Sequence, residues 1–122
     1  MDVNESPLYN QIVSTREVGI DAAEGSSEPM RRDMHLNGDQ LYQKGFVISH
    51  NPENIPKAGS CIFAHLWRAP GKPTAGCTAM SSIDMNALLL WLDNDKKPLF
   101  VLLPTSEYQR LQASWQLPPL KD

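Results

Sequence analysis

Gly59 to Met80 reads GSCIFAHLWRAPGKPTAGCTAM, two strand-like segments joined by a Pro-Gly loop. Cys61 to Trp67 is short, apolar and aromatic-rich, and Gly59-Ser60 opens it, so a buried strand is expected. Arg68 to Pro73 carries Pro-Gly and Lys-Pro, which break regular structure and make a loop. Thr74-Ala75-Gly76 is a small-residue approach to Cys77, and β-compatible residues follow. A strand, a loop and a second strand bring His65 and Cys77 side by side. A thiol nucleophile needs that arrangement, because the thiolate attacks and a nearby imidazole takes the proton. Gly76, lacking Cβ, is expected to allow a strained turn and a close substrate. The amides around Gly76 and Cys77 would then face a developing oxyanion. Thr74 is expected to hydrogen-bond locally and hold the turn.

Composition bounds the answer. The chain has 122 residues, 41% hydrophobic and 20% charged, which fits one globular domain with a single core. A net charge of −3 supplies no basic field for nucleic acid. Ten prolines favour loops and short elements over a helical bundle. No apolar run approaches the roughly 20 residues of a membrane span. Met1 to Glu5 is acidic and polar, so no export signal is visible.

Around the central stretch, Leu41 to Ser49 is expected to be a strand. Its Phe46-Val47-Ile48 run suggests a buried or half-buried sheet. His50-Asn51-Pro52 ends it. Met1 to Val13 reads as a strap or as an edge of the cleft, and Ser14 to Pro29 as loop. Ser81 or Ser82 is a natural N-cap, with Asp84 in the first turn. Met85, Leu88, Leu89 and Leu92 then form an apolar helical face, which Leu90 and Trp91 widen. Lys97 to Leu103 reads as a buried strand, and Tyr108 to Trp115 as a second short helix starting near Thr105. His35 reads as exposed and inert.

The segments GSCIFAHLW and PTAGCTAM resemble the catalytic core of the L,D-transpeptidase (YkuD-like) family. There a strand histidine precedes a [Ser/Thr]-x-Gly-Cys segment whose cysteine is the nucleophile. The likeness covers about Ser26 to Pro104, including Leu41 to Ile48 and Asn51, and more loosely Ser6 to Asn10. It implies one catalytic domain: residues 1–25 loosely matched, 26–104 the core, 105–122 a C-terminal helix and tail. The implied fold is mainly β (a β-rich α+β domain), a mixed sheet with one or two packed helices. The implied roles are Cys77 as nucleophile, His65 as general base, and Thr74, Ala75 and Gly76 as the oxyanion turn. Arg32, Asn51, His50 and Ser60 are the remaining candidate substrate-binding residues, Arg32 by a bidentate carboxylate contact. Ala75 stands where the commonest family form has His, and Ala79 where it has Arg. The chain ahead of Ser26 is short for the family's complete sheet, which points to an N-terminally truncated relative.

The activity implied is cysteine-dependent acyl transfer on peptidoglycan stem peptides, without metal or organic cofactor, in the periplasm or cell envelope. Its alternatives are a cysteine L,D-peptidase with water as acceptor, and a non-catalytic module that binds cell-wall peptide. A zinc site at Cys61, Cys77, His50 and His65 lacks the usual close ligand pairs. A Cys61–Cys77 disulfide would block the nucleophile. A buried, inert Cys61 is the default reading.

Overall fold

A computed structural model describes residues 1–27 and 40–120. The chain forms two compact units, Met1–Leu92 and Asp93–Asp122. The first is α+β. Strands β1 (Gly45–Val47), β2 (Phe63–Leu66) and β3 (Thr78–Met80) form one sheet in the order β1-β2-β3. β1 and β2 are antiparallel, with Gly45 opposite His65 and Val47 opposite Phe63. β2 and β3 are parallel, with Ala64 opposite Thr78 and His65 opposite Ala79. The connection from residue 67 to 77 has about the dozen residues that a parallel crossover needs. Hydrogen bonds continue the ladder past the strands: Leu66 N to Leu41 O (2.9 Å), Ile48 N to Ile62 O (3.1 Å) and Trp67 N to Met80 O (3.0 Å). Among the described residues, helical ones outnumber strand ones, about 25% against 9%, so the mainly β expectation is not met and the class is α+β.

The two-residue period divides the sheet into two chemically distinct faces. Ala64, Leu66 and Met80 face the core with Phe46 and Ile48, and Met85 of helix α2 (Ser82–Trp91) packs among them. Phe63, His65 and Ala79 point the other way. Lys44 Nζ donates to Asn86 Oδ1 at 2.7 Å, a polar tie between the sheet and α2. The central strand is buried along its whole length, because it is covered on both faces and paired on both edges.

Ser81 caps α2. Its Oγ accepts from Asp84 N at 3.1 Å and donates to Asp84 Oδ2 at 2.7 Å. Ser81→Ala is expected to cost about 1 kcal/mol, the ordinary worth of an N-cap, readable as a lower urea midpoint. The apolar face of α2 is narrower than its sequence suggests. Met85 is fully buried and Leu88 and Leu92 are half-buried, but Leu90 and Trp91 are 90% and 69% exposed. A three-stranded sheet covers one stripe of a helix and leaves the flanks uncovered.

Gly45 is required by close approach. A Cβ there would collide with the backbone carbonyl oxygen of Ala64 on the neighbouring strand. That oxygen cannot rotate aside, so Gly45→Ala must part β1 from β2. A loss of about 1–3 kcal/mol is expected, with roughly 4–8 °C off the melting temperature per kcal/mol.

The N-terminal segment is a strap without strands. Met1 and Tyr9 are buried, and Asn10 clasps the loop after β1: its Nδ2 donates to the carbonyls of His50 (2.9 Å) and Asn51 (2.8 Å). Asp2 accepts from Ser26 Oγ (2.7 Å) and from Ser27 N (3.0 Å). Partial burial raises the Asp2 carboxyl, but the hydrogen bonds from Ser27 and Ser26 outweigh it and hold the group below its ordinary value. Residues 14–27, expected as loop, contain α1 (Thr15–Val18) and a 3-10 turn at Asp21–Ala23.

In the second unit, α3 (Thr105–Leu111) begins after Pro104, and Tyr108 Oη donates to Pro118 O at 2.8 Å. The strand expected at Lys97 to Leu103 is absent. Lys97 is left-handed (φ 47°), Pro98 has no N–H to give a ladder, and Leu99 is 91% exposed. Apolar content supplies strand propensity, but a strand exists only where a neighbour pairs with it.

Candidate active site

Two parallel neighbours, β2 and β3, put His65 and Cys77 together. His65 pairs with Ala79 of β3, and Cys77 immediately precedes that strand. Both line one cleft of about 220 Å³ together with Tyr42, Trp67, Arg68 and Lys72.

His65 is buried and its ring is oriented. Nδ1 lies 2.7 Å from the carbonyl oxygen of Leu66. A carbonyl only accepts, so Nδ1 carries the hydrogen and Nε2 of the neutral ring holds the lone pair. Tyr42 lies against the same ring, with centroids 5.0 Å apart, and meets Phe63 edge-on at 6.2 Å. The imidazole is therefore held by a backbone acceptor on one side and an aromatic on the other.

Cys77 is half-buried, and its Sγ donates to the carbonyl oxygen of Cys61 at 3.6 Å. Thr74 organises the approach. Its Oγ1 donates to the Cys77 carbonyl at 2.5 Å and accepts from Gly76 N at 3.3 Å. Gly76 departs from expectation. Its backbone is outside the left-handed region, and a Cβ there would meet only Ile62 Cδ1 at 3.7 Å. The turn is held by the Thr74 hydroxyl, not by strain that only glycine tolerates. The Gly76 N–H is engaged by Thr74 in this arrangement rather than aimed at an oxyanion. Ala75 lines the cleft with an exposed methyl.

No protein-family model, no curated protein and no solved structure matches the chain.

The other candidates are placed elsewhere. His50 Nε2 lies 3.0 Å from the Ala58 carbonyl, so this ring closes a loop and is not a second ring in the cleft. Asn51 also closes that loop, giving Nδ2 to the carbonyls of Ile55 (2.8 Å) and Gly59 (3.0 Å) while Oδ1 accepts from Ile55 N (3.0 Å). Ser60 is half-buried and outside the lining of the cleft. Arg32 and His35 lie outside the described residues.

Cys61 is buried in a left-handed bend (φ 57°) just before β2, its N–H held by Asn10 Oδ1 at 3.0 Å. That bend starts the strand at Phe63 rather than at Cys61. Cys61 lines a second cavity, about 360 Å³, with Asn10, Ile12, His50, Ile62 and Phe63. Both cysteines are thiols. Among the described residues, no group of three or more His, Cys, Asp or Glu is gathered to hold a metal ion. No helix among them is long and apolar enough to cross a membrane.

Tyr42, Arg68 and Lys72 were not singled out from the sequence. Tyr42 sits in an irregular segment before β1 and carries no local signal. Arg68 and Lys72 flank the Ala69-Pro70-Gly71 bend. A Pro-Gly turn reverses the chain, which is a legible cue that its flanking side chains return to the same region.

Proposed function

We propose that this chain is a cysteine acyltransferase acting on peptidoglycan stem peptides, with an L,D-transpeptidase-like mixed sheet as its scaffold. One observation carries the reading: Cys77 and an oriented His65 line one cleft. The Thr-Ala-Gly-Cys resemblance supplies the substrate class and the expected periplasmic or cell-envelope setting.

Chemically, the Cys77 thiol proton leaves the Cys61 carbonyl and passes to His65 Nε2. The thiolate attacks the carbonyl of an L,D-peptide bond, forming a C–S bond. The C–N bond breaks, and the imidazolium returns its proton to the departing amine of the terminal D-residue. An amine of a second stem peptide then attacks the thioester and gives its proton to His65. The peptide C–N bond forms as the thioester C–S bond breaks, and the imidazolium returns the proton to the departing Cys77 thiolate, restoring the thiol.

The test incubates the protein with a purified tetrapeptide-stem muropeptide as both donor and acceptor, followed by mass spectrometry. A Cys77 thioester of the shortened stem and a crosslinked product are expected. Release of the terminal residue without crosslinking assigns water as the acceptor. Neither adduct nor release overturns the proposal.

A further inference from the structure

We infer that Cys61 and Cys77 form a dithiol–disulfide pair: Cys77 reacts with a small disulfide such as oxidised glutathione, and Cys61 resolves the adduct into a Cys61–Cys77 bond. The observation is a contact between the two residues. Cys77 Sγ donates to the carbonyl oxygen of Cys61 at 3.6 Å, across 16 positions of sequence. Both residues are thiols, and they are the two cysteines of the chain.

The fold explains why they meet. β2 and β3 run parallel, with Ala64 opposite Thr78, so the residues just ahead of each strand enter the sheet at the same end. Cys77 immediately precedes β3, and Cys61 stands two residues ahead of β2. Cys61 takes a left-handed bend (φ 57°), and Asn10 Oδ1 fixes its N–H at 3.0 Å. The carbonyl that Cys77 reaches is Cys61's own, so the Cys61 side-chain torsion is what aligns the two sulfurs. Cys61 Sγ accepts from the Met1 amino group at 3.4 Å. Sulfur is a weak acceptor, so this contact gives way to a covalent bond.

Access gives the pair a direction. Cys77 is half-buried and lines the cleft with His65, so a reagent from solvent meets it first. Cys61 is buried, which favours attack on a sulfur already delivered beside it. An accessible thiol next to a resolving thiol is the usual arrangement of a redox-responsive cysteine.

The exchange runs in two displacements. The Cys77 thiolate, its proton passed to His65, attacks one sulfur of the glutathione disulfide. An S–S bond to Cys77 forms, the old S–S bond breaks, and the departing glutathione thiolate takes the proton back from His65. Cys61 then attacks Cys77 Sγ, its thiol proton going to the second departing glutathione. Two protein thiols are oxidised to one disulfide, and one glutathione disulfide is reduced to two thiols. While the bond holds, the cleft has no nucleophile. That this switches off an acyl transferase rests on the acyl-transfer reading, whereas the bond itself rests only on the two thiols.

The test equilibrates the reduced, folded protein with glutathione buffers of increasing oxidised fraction, followed by acid quenching and intact and peptide mass spectrometry. The expected product has lost two hydrogens, carries no glutathione, gives one linked Cys61–Cys77 peptide and reverts with dithiothreitol. Cys61→Ala should stop at a glutathione adduct on Cys77. Cys77→Ala should take up glutathione at Cys61 more slowly than that. Circular dichroism establishes that each variant is folded. A glutathione adduct that persists on Cys77 of the unsubstituted protein, a disulfide between chains, linking only in urea, or thiols left unreacted by oxidised glutathione alone would each overturn the pair. Stem-peptide transfer, assayed on the same samples, separates this inference from the acyl-transfer reading. Complete loss of transfer in step with the disulfide, and its return with dithiothreitol, upholds both. A disulfide in a protein that transfers in neither state upholds the pair and rejects the chemistry. Transfer by a protein that forms no disulfide rejects the pair alone.

Discussion

Cys77→Ala is expected to abolish thioester formation and transfer on stem peptides, whereas Cys61→Ala leaves them in place. The asymmetry follows from where each sulfur lies. Cys77 lines the cleft with His65, while Cys61 is buried before β2 and lines a different cavity. His65→Ala should reduce the rate by about 10²–10⁴-fold, the usual contribution of a positioned general base. His65→Gln tests the base separately from the packing. Its amide can still donate to the Leu66 carbonyl and fill the space against Tyr42, but it cannot accept a proton at neutral pH. Its rate should match that of His65→Ala. A His65→Gln protein with full activity would mean that the ring only fills space. Intact product mass spectrometry under single-turnover conditions reads all four variants.

Met85→Ala should produce the largest loss of stability, about 2–5 kcal/mol. Met85 is the one fully buried large side chain among the described residues, and it closes the core made by Ala64 and Leu66. Phe46, Ile48 and Met80 pack around that core, so a cavity there is lined from all three strands. Its collapse would loosen β2 and β3 together and with them the pairing that sets His65 beside Cys77. Leu90→Ala is the matched control. Leu90 belongs to the same helix but is 90% exposed, so a change within about 0.5 kcal/mol is expected. Met85→Leu, which nearly conserves volume, should cost under about 1.5 kcal/mol. Urea denaturation separates the three. Equal losses for Met85→Ala and Leu90→Ala would show that α2 is not held to the sheet through this contact.

Local chemistry explains what was legible before the structure. The cap at Ser81 and the helix after it follow from neighbouring residues and appear where those residues direct, whereas the strand expected from Cys61 to Trp67 is shortened to Phe63–Leu66, its start set by the left-handed bend at Cys61. The juxtaposition of His65 and Cys77 was readable because a loop of about a dozen residues joins two strand-like segments. The parallel sense of that pairing was not, since it depends on how the loop crosses the sheet. Lys97 to Leu103 misled because its apolar run lacks the paired neighbour that a strand requires. Leu90 and Trp91 misled because a hydrophobic stripe says nothing about the width of the sheet beneath it. His50 and Asn51 drew attention as polar residues beside a strand end, yet their side chains satisfy loop carbonyls. Arg68 and Lys72 were visible only as a turn, because a sign of charge gains meaning when the cleft it borders is known.

The most direct measurement is the rate of iodoacetamide alkylation at Cys77, read by peptide mass spectrometry at neutral pH. It is compared in the native protein, in folded His65→Ala and in the urea-unfolded chain. Native Cys77 is expected to react faster than the same thiol in the unfolded chain, His65→Ala to remove this advantage, and Cys61 to stay slow until unfolding. A Cys77 that reacts no faster than in the unfolded chain, or whose rate ignores His65→Ala, would contradict the pairing of thiol and imidazole on which the proposed chemistry depends.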